Sequence, residues 1–125
     1  MSMDTAADAG SGGAVDTKAR DLRVRIGSWT LRNPVMSASG CFGYGLEYAD
    51  MVDLSALGGV VVKGLFLAER EGHPAPRIVE TPAGMINAIG LQGIGVHRFV
   101  SEKLPELRAR GAATVVNVCG TTVEE

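Results

Sequence analysis

The stretch Thr81-Pro82-Ala83-Gly84-Met85-Ile86-Asn87-Ala88-Ile89-Gly90-Leu91-Gln92-Gly93 sets the amides of Asn87 and Gln92 in an apolar backbone broken by glycine. Its glycines and Pro82 deny it a stable helix or central strand, while Met85, Ile86, Ile89 and Leu91 need a surface to press against. Amide donors and acceptors in such a backbone suit a segment that closes over a small polar ligand. An irregular core loop whose amides cap neighbouring backbone has the same composition. Three more polar groups fall where the chain leaves strand-like runs. Ser39 follows Val35-Met36-Ser37-Ala38 and opens Ser39-Gly40-Cys41-Phe42-Gly43-Tyr44-Gly45, either a loop whose amides approach a ligand closely or a plain tight turn. Lys63 closes Val60-Val61-Val62. A lysine ending a buried strand is costly without an anionic partner, which favours a functional cation over a snorkelling surface one. Asn117 stands near the end of a third run, from Ala112 to Val118.

The elements that must position these groups follow from periodicity. Leu22, Val24 and Ile26 alternate with arginines, Gly27-Ser28 interrupts, and Trp29 and Leu31 alternate again, which predicts a hairpin with a glycine-first turn, ended by Asn33-Pro34. Leu46, Ala49 and Val52 predict a helix over 46–57, with Asp53 able to restart a final turn and Gly58-Gly59 as the stop. The β-branched run 60–62 reads as a parallel strand covered on both faces, and 112–118 as a third buried strand. Between them lie a long excursion over 65–95, with a short strand at Arg77-Ile78-Val79-Glu80, and a helix over Val96 to Arg110 that Pro105 should kink or divide. Strand, helix, strand, long loop, helix, strand is the order of βα units building a parallel sheet. Ligands gather at the carboxyl ends of such strands, so Ser39, Lys63 and Asn117 fall on one rim with the Asn87 loop able to fold over it.

Composition narrows the function classes. A chain of 125 residues with net charge -2 and 46% hydrophobic residues is at most one modest domain. Its scattered basic residues argue against nucleic acid as a main partner, and no run approaches a membrane span. Cys41 and Cys119 stand far apart without a CxxC or CxxH companion, so no metal site is expected, and free thiols fit a reducing cytoplasm. Residues 1–20, rich in Ala, Gly, Asp and Ser, read as a disordered tail ahead of a folded unit over 21–125. His73, beside Pro74, reads as an exposed loop residue.

Several strings then carry a resemblance: Asn33-Pro34, Ala38-Ser39-Gly40-Cys41-Phe42-Gly43, Val62-Lys63-Gly64, Pro74-Ala75-Pro76-Arg77, Gly84 to Gln92, and Asn117-Val118-Cys119-Gly120. Together they resemble the amino-terminal part of dihydroorotate dehydrogenase, closest to class 1 type B, over about residues 22–120 in register. The resemblance implies an α/β fold, an FMN-binding TIM (β/α)8 barrel, of which this chain holds a hairpin and about the first three βα units. It implies oxidation of dihydroorotate to orotate in pyrimidine synthesis, with hydride passing to FMN and electrons onward to NAD through an iron-sulfur FAD subunit. A homodimer or heterotetramer is expected when the protein is complete. Matched residue by residue, Ser39, Lys63, Gly64 and Asn117 resemble flavin contacts. Lys63 also resembles a contact to the orotate carboxylate, and Asn87, Ala88, Ile89, Gly90 and Leu91 resemble the substrate-binding stretch. A fixed cation such as Lys63 suits negative charge gathering near N1 and O2 of a reduced flavin.

The family's catalytic base, a cysteine after the fourth strand, is expected beyond Glu125, and the flavin phosphate site at later strands still. Cys41 matches the family's own early cysteine. Cys119 shares a strand face with Asn117 by period two, yet reads as a small packing residue rather than a rim group. The alternatives are another FMN barrel that reduces pyrimidines, such as that of dihydropyrimidine dehydrogenase, and a half-barrel remnant kept as a binding module. The fragment alone is expected to be inactive.

Overall fold

The computed structural model describes residues 20–125, so the tail expected over 1–20 lies, Arg20 apart, outside the described residues. The first strands, β1 (Val24–Ile26) and β2 (Trp29–Leu31), form the expected hairpin, with Ile26 opposite Trp29 and Gly27 at φ 58° in the two-residue turn. Only a glycine-like residue takes that conformation without strain, and Leu31 carries the hairpin's fully buried side chain.

The sheet is built on β3 (Val60–Val61). Val60 and Val62 are wholly buried, and Val60 N–H donates to the Ala113 carbonyl and Val62 N–H to that of Val115. On its other side Met36 makes a parallel bridge to Gly59, and the Ser37 hydroxyl accepts from Val61 N–H at 2.9 Å. The run 35–38 is therefore a single bridge rather than a full strand. A side-chain oxygen replaces one rung of its ladder.

The helix expected over 46–57 does not form. The segment holds two short 3-10 turns, Leu46–Tyr48 and Leu54–Ala56. Asp53 is extended, at φ -67° and ψ 100°, and its carboxylate accepts from both the amide (2.9 Å) and the hydroxyl (2.7 Å) of Ser55. That side chain competes with the helical backbone bond and restarts the chain as a new turn.

The excursion after β3 is a long antiparallel ribbon. Arg70 bridges Gly93, His73 N–H donates to the Ile89 carbonyl, Ala88 N–H donates to the Arg77 carbonyl, and β4 (Ile78–Thr81) pairs with β5 (Gly84–Asn87) across Pro82-Ala83. The expectation of a loop over 81–93 is thus corrected: residues 84–87 are a strand, and Pro82 begins a tight turn. Every residue of β4 and β5 is exposed.

Helical backbone then runs as α1 (Gly95–Arg98), a π-helical turn (Phe99–Lys103) and α2 (Leu104–Ala109). Pro105 cannot donate to the turn before it and would crowd that turn's carbonyl, and the wider π turn relieves both. Phe99 and Leu107 pack with Tyr44, Leu54, Val60, Val62, Leu65 and Ala112, whereas Val100 is 52% exposed. Each such Phe, Leu or Val side chain stabilises by about 1.5–3 kcal/mol when fully buried. Last comes β6 (Thr114–Val115), parallel to β3 with Val60 opposite Thr114, and Leu65 bridges Val118 further along. The third run is not buried on both faces: Val116 and Val118 are exposed, and among the described residues β6 pairs on one side only. The parallel neighbours thus lie in chain order, Met36, β3, β6, and the described strands do not close into a barrel.

Candidate functional site

Because Met36, β3 and β6 run parallel and in register, the residues just beyond them share one end of the sheet. Ser39, Lys63 and Asn117 emerge there, and all three line one cavity of about 170 Å³ with Gly64, Leu91, Phe66 and Cys119. Backbone bonds fix this rim. Lys63 N–H donates to the Gly43 carbonyl at 2.8 Å, tying the glycine-rich loop to the end of β3. Leu65 N–H donates to the Asn117 carbonyl and Cys119 N–H to that of Leu65, both at 2.8 Å.

Gly64 sets how closely these pieces approach. A β-carbon there would lie 2.9 Å from Cys119 Sγ and 3.5 Å from Asn117 Nδ2, so the neighbouring run can sit against it only while it has no side chain. Gly45, at φ 90°, has the same role one layer down, where a β-carbon would meet Val60 Cγ1 at 2.7 Å.

The substrate stretch is divided. Leu91 lines the cavity, but Asn87 lies in β5 opposite Ile78, exposed, and Ala88, Ile89 and Gly90 are engaged with the other limb of the ribbon. Of the stretch expected to fold over the rim, Leu91 alone lines the cavity in this structure. Leu91 does so at φ 55°, the one non-glycine residue with positive φ among the described residues, a conformation that costs roughly 1–2 kcal/mol. Backbone strain held beside a cavity marks a position that the surroundings dictate.

Two lining residues were not read as site residues. Cys119, expected as packing, faces the cavity, and its signal was the period-two spacing from Asn117. Phe66 carried no signal, since nothing in Leu65-Phe66-Leu67 shows which side chain turns to the rim. A second, larger cavity of about 510 Å³ shares Lys63 with the first and is lined mostly by the ribbon, including Arg70, Arg77, Glu69 and Glu71. His73 is exposed, as expected of a loop residue. Among the described residues no group of three or more His, Cys, Asp or Glu is gathered to hold a metal, and no helix is long and apolar enough to cross a membrane.

A hydroxyl, an ammonium and a carboxamide around a small, largely apolar hollow provide both donors and acceptors for the edge of a flat polar heterocycle. The hollow is smaller than the roughly 300 Å³ of common ligand pockets, so it fits part of a ring system rather than a whole cofactor.

A family model described as dihydroorotate dehydrogenase matches residues 21–125. Relatives named dihydroorotate dehydrogenase B (NAD(+)), catalytic subunit, include one from Geotalea uraniireducens, 53% identical over 105 residues that cover 84% of this chain and 34% of that protein. One from Thermodesulfovibrio yellowstonii is 55% identical over 104 residues, covering 83% and 34%, and one from Thermoanaerobacter sp. is 50% identical over 105 residues, covering 84% and 35%. The chain spans about a third of the length of these curated relatives.

Proposed function

Because this chain belongs to the dihydroorotate dehydrogenase family, we propose that it supplies the flavin-facing rim of an enzyme that oxidises dihydroorotate to orotate, with NAD as the final electron acceptor. The observation that carries this reading is the convergence of Ser39, Lys63, Gly64 and Asn117 on one cavity at the ends of parallel neighbours. In the complete protein that rim is one sector of a (β/α)8 barrel, whose active site lies at the carboxyl ends of its strands.

The residues present fit the ring system of FMN. Ser39 and Asn117 offer hydrogen-bonding groups, Gly40 and Gly64 leave the wall thin enough for a flat ring, and Lys63 supplies a fixed positive charge. When bound, the flavin would accept the hydride that leaves the dihydroorotate ring. Lys63, held by its own backbone to Gly43, keeps its ammonium where negative charge develops and where a substrate carboxylate can pair with it. Phe66, nearly buried, gives the same hollow an apolar wall, which strengthens that attraction. In this reading Asn87 to Gly90 become substrate contacts when the ribbon limb that ends at Gly93 swings toward the rim. The relatives' names, which call them catalytic subunits, support a partner subunit that carries electrons to NAD.

The test is FMN binding and flavin reduction in the protein purified at the length its source makes, wild type against Lys63→Gln. The neutral variant keeps the shape of the side chain, so we expect FMN to remain bound while flavin reduction by dihydroorotate slows about 100-fold or more. Equal reduction rates in the two proteins would remove Lys63 from this role.

A further inference from the structure

One tyrosine joins the two halves of the proposed site. Tyr44 lies in the glycine-rich loop that opens with Ser39, and it is 7% exposed, with its ring 5.9 Å from that of Phe99. The backbone around it is fixed twice: Lys63 N–H donates to the Gly43 carbonyl at 2.8 Å, and Tyr44 N–H donates to the Glu47 carboxylate at 3.0 Å. From that base the Tyr44 hydroxyl accepts a hydrogen bond from Ile94 N–H at 3.1 Å, across 50 positions of sequence. Ile94 stands where the returning limb of the ribbon meets α1. Gly93 before it exchanges two backbone bonds with Arg70, at 2.8 and 2.9 Å, and Val96 N–H after it donates to the Phe66 carbonyl at 3.0 Å. Those bonds join the ribbon limbs to each other and to the segment leaving β3. The Tyr44 hydroxyl ties the same root to the loop at the rim, and a β-carbon on Gly93 would lie only 3.5 Å from that oxygen.

We propose that Tyr44 is a positioning residue for the substrate stretch. Its hydroxyl pins the root of the ribbon to the loop that carries Ser39 and Gly40, and so sets where Leu91 and the residues before it stand relative to Lys63. This role rests on the flavin reading above and goes beyond it, since Tyr44 does not line the smaller hollow and acts through Ile94. Every residue of β4 and β5 is exposed, so the placement of the ribbon depends on its root. A pinned root limits the orientations that the limb explores, and a larger share of the molecules presents the substrate stretch correctly. Loss of the pin lowers that share and weakens apparent substrate affinity by the same factor. Lys63 keeps its own backbone bond to Gly43, so the flavin side of the site is not loosened with it.

The experiment is anaerobic reduction by dihydroorotate of the FMN-loaded protein, purified at the length its source makes, in wild type and Tyr44→Phe. Phenylalanine keeps the ring against Phe99 and removes only the acceptor. The dihydroorotate concentration that gives half the limiting rate should rise about fivefold or more, while the limiting rate and the FMN dissociation constant stay within about twofold. A merely structural loss would weaken FMN and substrate together. Ile94→Pro removes the other partner, because proline has no N–H, and the φ of -85° at this position lies near the value that proline fixes. In that background Tyr44→Phe should bring no further loss. Equal half-saturation in wild type and Tyr44→Phe, loss of FMN in step with substrate, or a Tyr44→Phe effect that persists in the Ile94→Pro background would overturn the proposal. If Ile94→Pro does not fold, the first comparison decides alone. A wild type whose flavin dihydroorotate leaves oxidised overturns the flavin reading and this role with it. A wild type that is reduced, beside variants that fail these tests, overturns the role alone.

Discussion

Gly64 is where the rim is thinnest. Its missing β-carbon leaves room for Cys119 Sγ and for the Asn117 amide beside Lys63, so a methyl group there presses on sulfur before it touches anything else. Gly64→Ala should destabilise the protein by about 1–3 kcal/mol, the usual cost of overpacking. Cys119→Ala in the same chain should restore most of that loss, because it removes the atom that the new methyl meets first. Thermal unfolding of the two single variants and the double variant checks this, and additive losses would mean that the close approach is not what constrains Gly64. Of these residues, Lys63 and Asn117 were legible in the sequence as polar groups ending apolar runs. The Cys119 placement was visible only as a period-two spacing, which a packing residue shares. Leu91 illustrates the opposite limit: its place in the cavity depends on a left-handed backbone that leucine has no local reason to adopt.

At the scale of elements, the sequence was clearest where one periodicity had no rival. The hairpin β1–β2 and the run at Val60 stand as read, since alternation and β-branching agree with the turn residues around them. The segment 46–57 was misread because its apolar spacing suits a helix while Asp53 offers its carboxylate to Ser55. That bond also makes the turn sensitive to pH. The Ser55 hydroxyl, then its backbone amide, hold the Asp53 carboxyl below its ordinary value of 3.8. The folded value lies under the unfolded one, so the stabilisation is present above pH 3.8 and is lost as pH falls through the lower folded value. Asp53→Asn keeps an oxygen for the Ser55 amide without a titrating group, and should flatten this part of the acid limb of a melting-temperature profile. An unchanged acid limb would show that the turn does not depend on the charge. The strand at 84–87 escaped notice for a related reason: Pro82 and Gly84 read as breakers of a segment, when Pro82 lies in the turn that makes it and Gly84 opens the strand.

For the whole molecule, the order of the parallel neighbours and the rim they share were legible, because βα order fixes which strand ends lie together. Closure was not, since no local pattern tells an open edge from a paired one. Among the described residues β6 is paired only with β3, Val116 and Val118 are exposed beyond it, and the β4–β5 ribbon carries Ile78, Val79, Met85 and Ile86 in the open. An unpaired edge and an exposed apolar ribbon favour association with other chains. Prepared alone, the 125-residue chain is therefore expected to self-associate in sedimentation and not to reduce flavin with dihydroorotate. A monodisperse monomer with turnover would contradict both expectations. The most direct measurement is anaerobic mixing of dihydroorotate with the protein purified at the length its source makes, watching the flavin absorbance. The account predicts a bound flavin that bleaches on mixing and recovers its colour when an electron acceptor is admitted. A protein without flavin, or a flavin that dihydroorotate leaves oxidised, would contradict it.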